Sequence, residues 1–168
     1  VSNVVITGAN AGIGLATAVG VARTGARVIL AVRSVDKGRA AADEIAGKVS
    51  GAQVDVMALD LASLASVRHF AAALADRAPV LDVLINNAGV TMKDRSETVD
   101  GFETTFGVNH LGHFLLTQLL VDRLVASAPS RVVVVSSGAH RVAVNGLCLD
   151  DLQHEREFHS MQVYGESK

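Results

Sequence analysis

Tyr164 and Lys168 lie four residues apart, a spacing that puts both side chains on one face of a helix. A phenol ordinarily keeps its proton up to about pH 10, and a neighbouring ammonium favours the phenolate, moving the group toward acid–base work near neutrality. The plain alternative is a surface pair, the commoner meaning of this spacing taken alone. Upstream, Val132–Val135 runs into Ser136-Ser137. That order sets hydroxyls at the carboxyl end of a strand, the edge at which open α/β sheets bind ligands.

A second group of residues suits phosphate. Ile6-Thr7-Gly8-Ala9-Asn10-Ala11-Gly12-Ile13-Gly14 stands between an apolar run and a helical stretch. Glycines there admit positive φ and close backbone approach, and a helix N-terminus offers free N–H donors and a positive dipole end. An ordinary glycine-containing turn is the alternative; a strand before and a helix after favour dinucleotide binding. The second apolar run ends Leu30-Ala31-Val32-Arg33-Ser34, with no carboxylate for a ribose 2′-hydroxyl and a guanidinium suited to a 2′-phosphate. NADP(H) is therefore expected ahead of NAD(H). Asp60-Leu61 and Asn86-Asn87-Ala88-Gly89 close the third and fourth runs, where turn or cap duty is the alternative reading.

The elements that must position these groups are legible as an alternation. Strands are expected at Asn3–Thr7, Arg27–Val32, Val54–Leu59, Val80–Ile85 and Arg131–Ser136, each nearly continuous in apolar character, as in strands covered on both faces. Helices are expected at Ile13–Thr24, Val35–Val49, Leu64–Ala78 and Gly101–Ser127, with a further stub from about Met161. Gly25 suits a helix C-cap, Ser63 an N-cap, and Pro79 a stop. Such alternation predicts an α/β fold, a doubly wound parallel sheet. With aromatics at only 4%, the core must come from Val, Leu, Ile and Ala.

A net charge of −2, with the charges scattered, argues against a nucleic-acid binder. The single cysteine, Cys148, rules out an intrachain disulfide and fits a cytoplasmic setting. No apolar run approaches the ~20 residues of a membrane span. The least regular stretch, from about Gly138 to Ser160, holds Cys148, His140, His154 and His159 without a recognisable metal-ligand spacing, and its histidines are expected to be unpaired polar surface.

In this order the motifs resemble the short-chain dehydrogenase/reductase family, whose first turn reads T-G-x-x-x-G-x-G; Thr7, Gly8, Gly12 and Gly14 fill it, and Asn86-Asn87-Ala88-Gly89 matches its N-N-A-G segment. The resemblance implies an oxidoreductase moving a hydride between NADP(H) and an alcohol or carbonyl. It implies a catalytic tetrad of Asn109, Ser137, Tyr164 and Lys168, with Ser137 preferred to Ser136 as the second of the pair, and with a water at Asn109 relaying protons to the lysine. Cofactor contacts carry over to Thr7, Gly8, Asn10, Gly12, Ile13, Gly14, Arg33, Asp60, Leu61, Asn87, Ala88, Gly89, Tyr164 and Lys168, Asp60 at the adenine amino group. Arg33, Val90-Thr91, the Asn109-His110-Leu111-Gly112-His113-Phe114 run and the long gap between Ser137 and Tyr164 resemble the retinol dehydrogenase-like subgroup, which often handles lipophilic substrates.

Members of that family continue past the lysine, so residues 1–168 read as a single NADP(H)-binding Rossmann-like domain, incomplete at the C-terminus, with little turnover expected of this piece alone. A dinucleotide-binding sensor or scaffold without chemistry is the alternative function. A structural subunit pairing through the fourth helix is a third, in which Leu115, Leu116, Leu119 and Leu120 serve core or interface. A homo-oligomer would use the fourth and fifth helices.

Overall fold

Short Val/Ile/Leu runs separated by Ala-rich amphipathic stretches need a sheet with helices on both faces, and the computed structural model, which describes residues 2–143 and 146–168, has that form. The elements run β1 (Asn3–Thr7), α1 (Gly12–Ala22), β2 (Arg27–Val32), α2 (Val35–Lys48), β3 (Val54–Ala58), α3 (Leu64–Arg77), β4 (Val83–Asn86), α4 (Thr104–Phe106), a π-helical segment (Gly107–Gly112), α5 (His113–Ala126), β5 (Arg131–Val134) and α6 (Ser160–Glu166). Short 3₁₀ turns at Gly138–Val142 and Leu149–Asp151 lie in the long connection before α6. The five strands are parallel in the order β3-β2-β1-β4-β5, so the chain reverses direction of winding at β1. Ligands bind outside the carboxyl ends of such sheets at that reversal.

Side chains alternate across the sheet and build one core on each face. Val4, Ile6, Val28 and Leu30 pack under α1 and α2 with Ala18, Ala41 and Ile45. Val5, Ile29 and Leu84 pack under α3 and α5 with Phe70, Leu74, Leu116 and Leu120. Leu116 and Leu120 are thus core, Leu115 is packed against it, and Leu119 is 39% exposed. α2 can lie close on the sheet because Gly38 has no side chain; a Cβ there would come within 2.5 Å of Val56 Cγ1 and 2.7 Å of Val32 Cγ2.

Several sequence expectations need correction. β4 begins at Val83 rather than Val80, because residues 80–82 spend their polar groups on side chains and on β1: Leu81 N donates to Ser127 Oγ, and Asn3 N donates to Asp82 Oδ2. β5 stops at Val134 rather than Ser136, since Ser137 turns to cap the following 3₁₀ turn through a bond from Ala139 N. Among the described residues β5 is the last strand of the order, and Val132, Val133 and Val134 are 42%, 43% and 67% exposed there. The helix expected over Gly101–Ser127 starts late and is not uniform. Residues before it turn back on themselves at Gly101 (φ +82°), Thr104 N bonds Ser96 O, and the buried Glu103 caps α4 by accepting from Thr105 N and Phe106 N. Other ends differ by a residue or two, and Ser63 caps α3 as expected.

Phe70 is 1% exposed in the core under α3 and α5. Phe70→Ala should therefore lower the unfolding free energy by about 3–5 kcal/mol, read from urea denaturation with an unchanged slope.

Candidate active site

Five strand ends meet at one edge of the sheet, where a cleft of about 630 Å³ opens. Of the tetrad and cofactor-contact residues expected from the sequence, all but Thr7 and Asn109 line it, and those two lie buried directly behind its wall. One end of the cleft is the glycine turn. Gly8 and Gly12 have φ of +64° and +54°, the region that favours glycine. A Cβ at Gly8 would lie 2.9 Å from Ala88 Cβ, and one at Gly14 would lie 2.5 Å from Gly8 O and 2.6 Å from Asn87 Nδ2. The missing side chains thus let the turn, α1 and the N-N-A-G segment close on one another. α2 and α3 are capped by Ser34 and Ser63, whereas Ala11 gives α1 no side-chain cap. Its first N–H groups face a cleft suited to an anion.

Arg33 stands exposed on the cleft wall, joined by Lys37 from the first turn of α2, a cation that reading the strand end alone missed. Lys37 is found by its spacing from Arg33 once α2 is known to begin at Val35. Asp60 holds its carboxylate at the wall by accepting from Ala62 N (2.9 Å), so it serves as a turn residue and lines the cleft as well.

Thr7 joins the two halves of the wall. Its Oγ1 accepts from Asn87 N and Ala88 N, each at 2.9 Å, while Asn87 Nδ2 donates to Thr7 O at 2.8 Å. Its third partner is His113 Nε2 at 2.8 Å, and His113 Nδ1 lies 3.0 Å from Asn109 O. Burial pushes the His113 pKa from 6.5 down to about 4, against the bond to Asn109 O and with help from the nearby charges of Lys168 and His110. The ring is therefore neutral near pH 7. A carbonyl only accepts, so Nδ1 bears the proton and Nε2 accepts from the Thr7 hydroxyl. His113 was not among the residues singled out for a role in the sequence; nothing in its type or spacing separates it from the core residues of the same helix.

Asn109 lies in the π-helical segment, a distortion that often marks functional sites. Its amide is committed within the protein: Oδ1 accepts from Val90 N (2.8 Å), and Nδ2 donates to Val90 O and to Ser167 Oγ, both at 2.9 Å. Asn109 thus ties the segment after N-N-A-G to the end of the Tyr164–Lys168 helix. Gly112 lets this helix approach β3's end, since a Cβ would sit 2.6 Å from Leu61 O.

The other end of the cleft carries Ser136, Ser137, Tyr164 and Lys168. Ser136 Oγ donates to Lys168 O at 2.9 Å, which spends its proton inside the protein. Ser137 Oγ accepts from Ala139 N, leaving its own proton to donate. The Lys168 Nζ lies 5.7 Å from the centre of the Tyr164 ring, and partial burial lowers its pKa. A side chain at Gly89 would press on that ammonium, with a Cβ only 3.0 Å from Nζ.

The long connection packs against this end. His154 is buried rather than surface as expected, with Nε2 3.0 Å from Glu166 Oε2 on α6. Gln153 accepts from Arg95 Nε through its carbonyl and from Glu103 N through its side chain, and Ser160 Oγ donates to Met92 O. His140 and His159 are exposed. Residues 144 and 145 of this stretch lie outside the described residues.

A parallel sheet wound from β1, with a glycine turn closed on an N-N-A-G segment and with Tyr164 and Lys168 at the same edge, is a Rossmann-like fold. The profile of the short chain dehydrogenase family matches residues 2–149, and the chain belongs to that family. It is 53% identical over 165 residues to retinol dehydrogenase 12 of Mus musculus, an alignment covering 98% of this chain and 52% of the relative. The chain spans about half the length of the curated relatives it matches. A solved structure from Mycobacterium Paratuberculosis is similar at 47% identity with a TM-score of 0.83, over 99% of this chain and 57% of that one. A metagenomic short-chain oxidoreductase solved in complex with NADP is similar at 27% identity with a TM-score of 0.78, over 99% and 70%.

Between pH 6.5 and about 4 the unfolded chain protonates His113 and the folded chain does not, so stability falls as pH falls through that window. His113→Gln removes this contribution. Compared by urea unfolding near pH 7 and about pH 4.5, the unaltered protein should lose about 2–3 kcal/mol more than the variant.

Proposed function

We propose that the protein is an NADP(H)-dependent oxidoreductase acting on an alcohol or carbonyl, with lipophilic, retinol-like molecules as the substrate class. The observation that carries this reading is one continuous cleft with a phosphate cradle at one end and a hydroxyl–phenol–ammonium group at the other. Two features fit a dinucleotide: Gly12 (φ +54°) has open space where a Cβ would stand, and the first N–H groups of α1 have no side-chain cap. Arg33 and Lys37, with Val32 in place of a carboxylate, favour a 2′-phosphate over a bare ribose. The NADP held by the metagenomic relative is consistent with that preference. When bound, the nicotinamide supplies or accepts the hydride.

The chain's own residues do the rest. Ser137 donates its free hydroxyl proton to the substrate oxygen and holds it in place. Tyr164 gives a proton to that oxygen in reduction and takes it in oxidation. Lys168 keeps a positive charge beside the phenol, which favours the phenolate when the proton leaves. Burial lowers the Lys168 pKa. Asn109 acts at one remove, fixing α6 against the N-N-A-G side through Ser167 and Val90. Residues 1–168 are read as one dinucleotide-binding domain, and the retinol dehydrogenase relatives are the support for the lipophilic substrate class.

Arg33→Ala is expected to weaken NADPH binding roughly 10- to 100-fold, the size of a lost charge-assisted bond, and to leave NADH binding unchanged. Titration of each nucleotide by fluorescence reads this out; equal losses for both would overturn the phosphate assignment. Tyr164→Phe in the full-length protein should cut turnover of aldehydes by about 10²- to 10⁴-fold while sparing NADPH binding, and this separates an enzyme from a sensor.

A further inference from the structure

His113 sits at the crossing of the three chain segments that form the cleft wall, yet it lines no part of the cleft itself. A threonine hydroxyl has one proton and two acceptor positions. At Thr7 both acceptor positions are taken by Asn87 N and Ala88 N, so the proton must leave toward something that accepts. Two acceptors are available, His113 Nε2 at 2.8 Å and Ile85 O at 3.5 Å, and only the first is at a good distance. Were Nε2 protonated as well as Nδ1, three N–H groups would point at one oxygen able to take two. The neutral, Nδ1-protonated ring is therefore the one state that satisfies every group in the network.

The helix supplies the other half of the arrangement. The His113 main-chain N–H bonds His110 O, and the Asn109 carbonyl receives the His113 ring N–H. Through one imidazole the carbonyl of Asn109 is connected to the hydroxyl of Thr7, and through that hydroxyl to the backbone of Asn87 and Ala88. Charged or titratable groups acting on the ring are Lys168 and His110, both of which oppose a second proton.

We propose that His113 is a positioning residue: by holding the Thr7 proton it orients the hydroxyl that locks the glycine turn to the N-N-A-G segment, and by holding the Asn109 carbonyl it keeps the catalytic side of the cleft in register with the nucleotide side. The effect on nucleotide affinity rests on the dinucleotide reading above; the tautomer and the coupling to Thr7 do not.

Nitrogen-15 NMR of the full-length protein near pH 7 should show His113 neutral with the proton on Nδ1; the Nε2–H tautomer or an imidazolium overturns the proposal whatever the variants do. The variants divide the two arms. In His113→Gln the amide oxygen can stand where Nε2 accepts, and in His113→Asn the amide nitrogen can stand where Nδ1 donates. Well below the unfolding temperature, His113→Phe and His113→Asn should bind NADPH about tenfold more weakly, and His113→Gln within about threefold of the unaltered protein. A residue that only fills space would lower the melting temperature and leave those affinities together. Adding His113→Phe to Thr7→Val should cost less in affinity and in urea stability than His113→Phe costs the unaltered protein; fully additive losses, or rescue by Asn and not by Gln, overturn the assignment. If the unaltered protein binds neither NADPH nor NADH, the dinucleotide reading fails, and the tautomer with the urea cycle still decides the role of His113.

Discussion

A threonine hydroxyl can make three hydrogen bonds, and at Thr7 all three are made inside the protein. Two come from the backbone that follows β4 and one goes to the helix behind the sheet. The loop after β1 therefore cannot move independently of the loop after β4. Gly8 and Gly14 make this possible at the level of volume, because the same two loops touch where any Cβ would intrude. Hydrogen bonding sets the direction of the contact and the glycines set its closeness. The rest of the cleft is laid out from that junction: α1 with its uncapped N-terminus on one side, Asn109 and α6 on the other.

Much of this was legible in the residues themselves. β1 and β2 begin and end where the apolar runs do, because both are central strands whose sequence records burial on two faces. The glycine turn, Arg33, Asp60 and Asn87-Ala88-Gly89 come together at the cleft, since each stands at the carboxyl end of a strand legible as an apolar run. What escaped was set by packing. β4 starts late because Asp82 and Leu81 bond to distant partners, and sequence periodicity contains no record of such partners. The role of Gly89 depends on where the Lys168 ammonium comes to rest, far away in the chain. His113 escaped because an imidazole among aliphatic helix residues has the pattern of a core position.

The histidines of the long connection show the same limit from the other direction. By composition they are ordinary polar loop residues. In space, His154 is buried against Glu166, at the end of α6 two residues from Tyr164, with its backbone at φ +48°. A non-glycine residue in that region is uncommon and is held there by its surroundings. Together with the grip of Gln153 on Glu103 N and of Ser160 on Met92 O, this makes the connection a buttress for α6.

The widened turn at Gly107–Gly112 has a consequence of phase. Each residue advances an α-helix by about 100°, so a turn closed one residue later rotates everything beyond it by that amount. Within the wide turn, Val108 lines the cleft and Asn109 lies behind its wall. Beyond it, Leu116, Leu120 and Leu124 come round to the sheet. One stretch of chain thereby satisfies two angular demands that an unbroken spiral would set against each other. Its length is fixed for the same reason: removing a single residue there would swing either Asn109 or the leucines away from their partners.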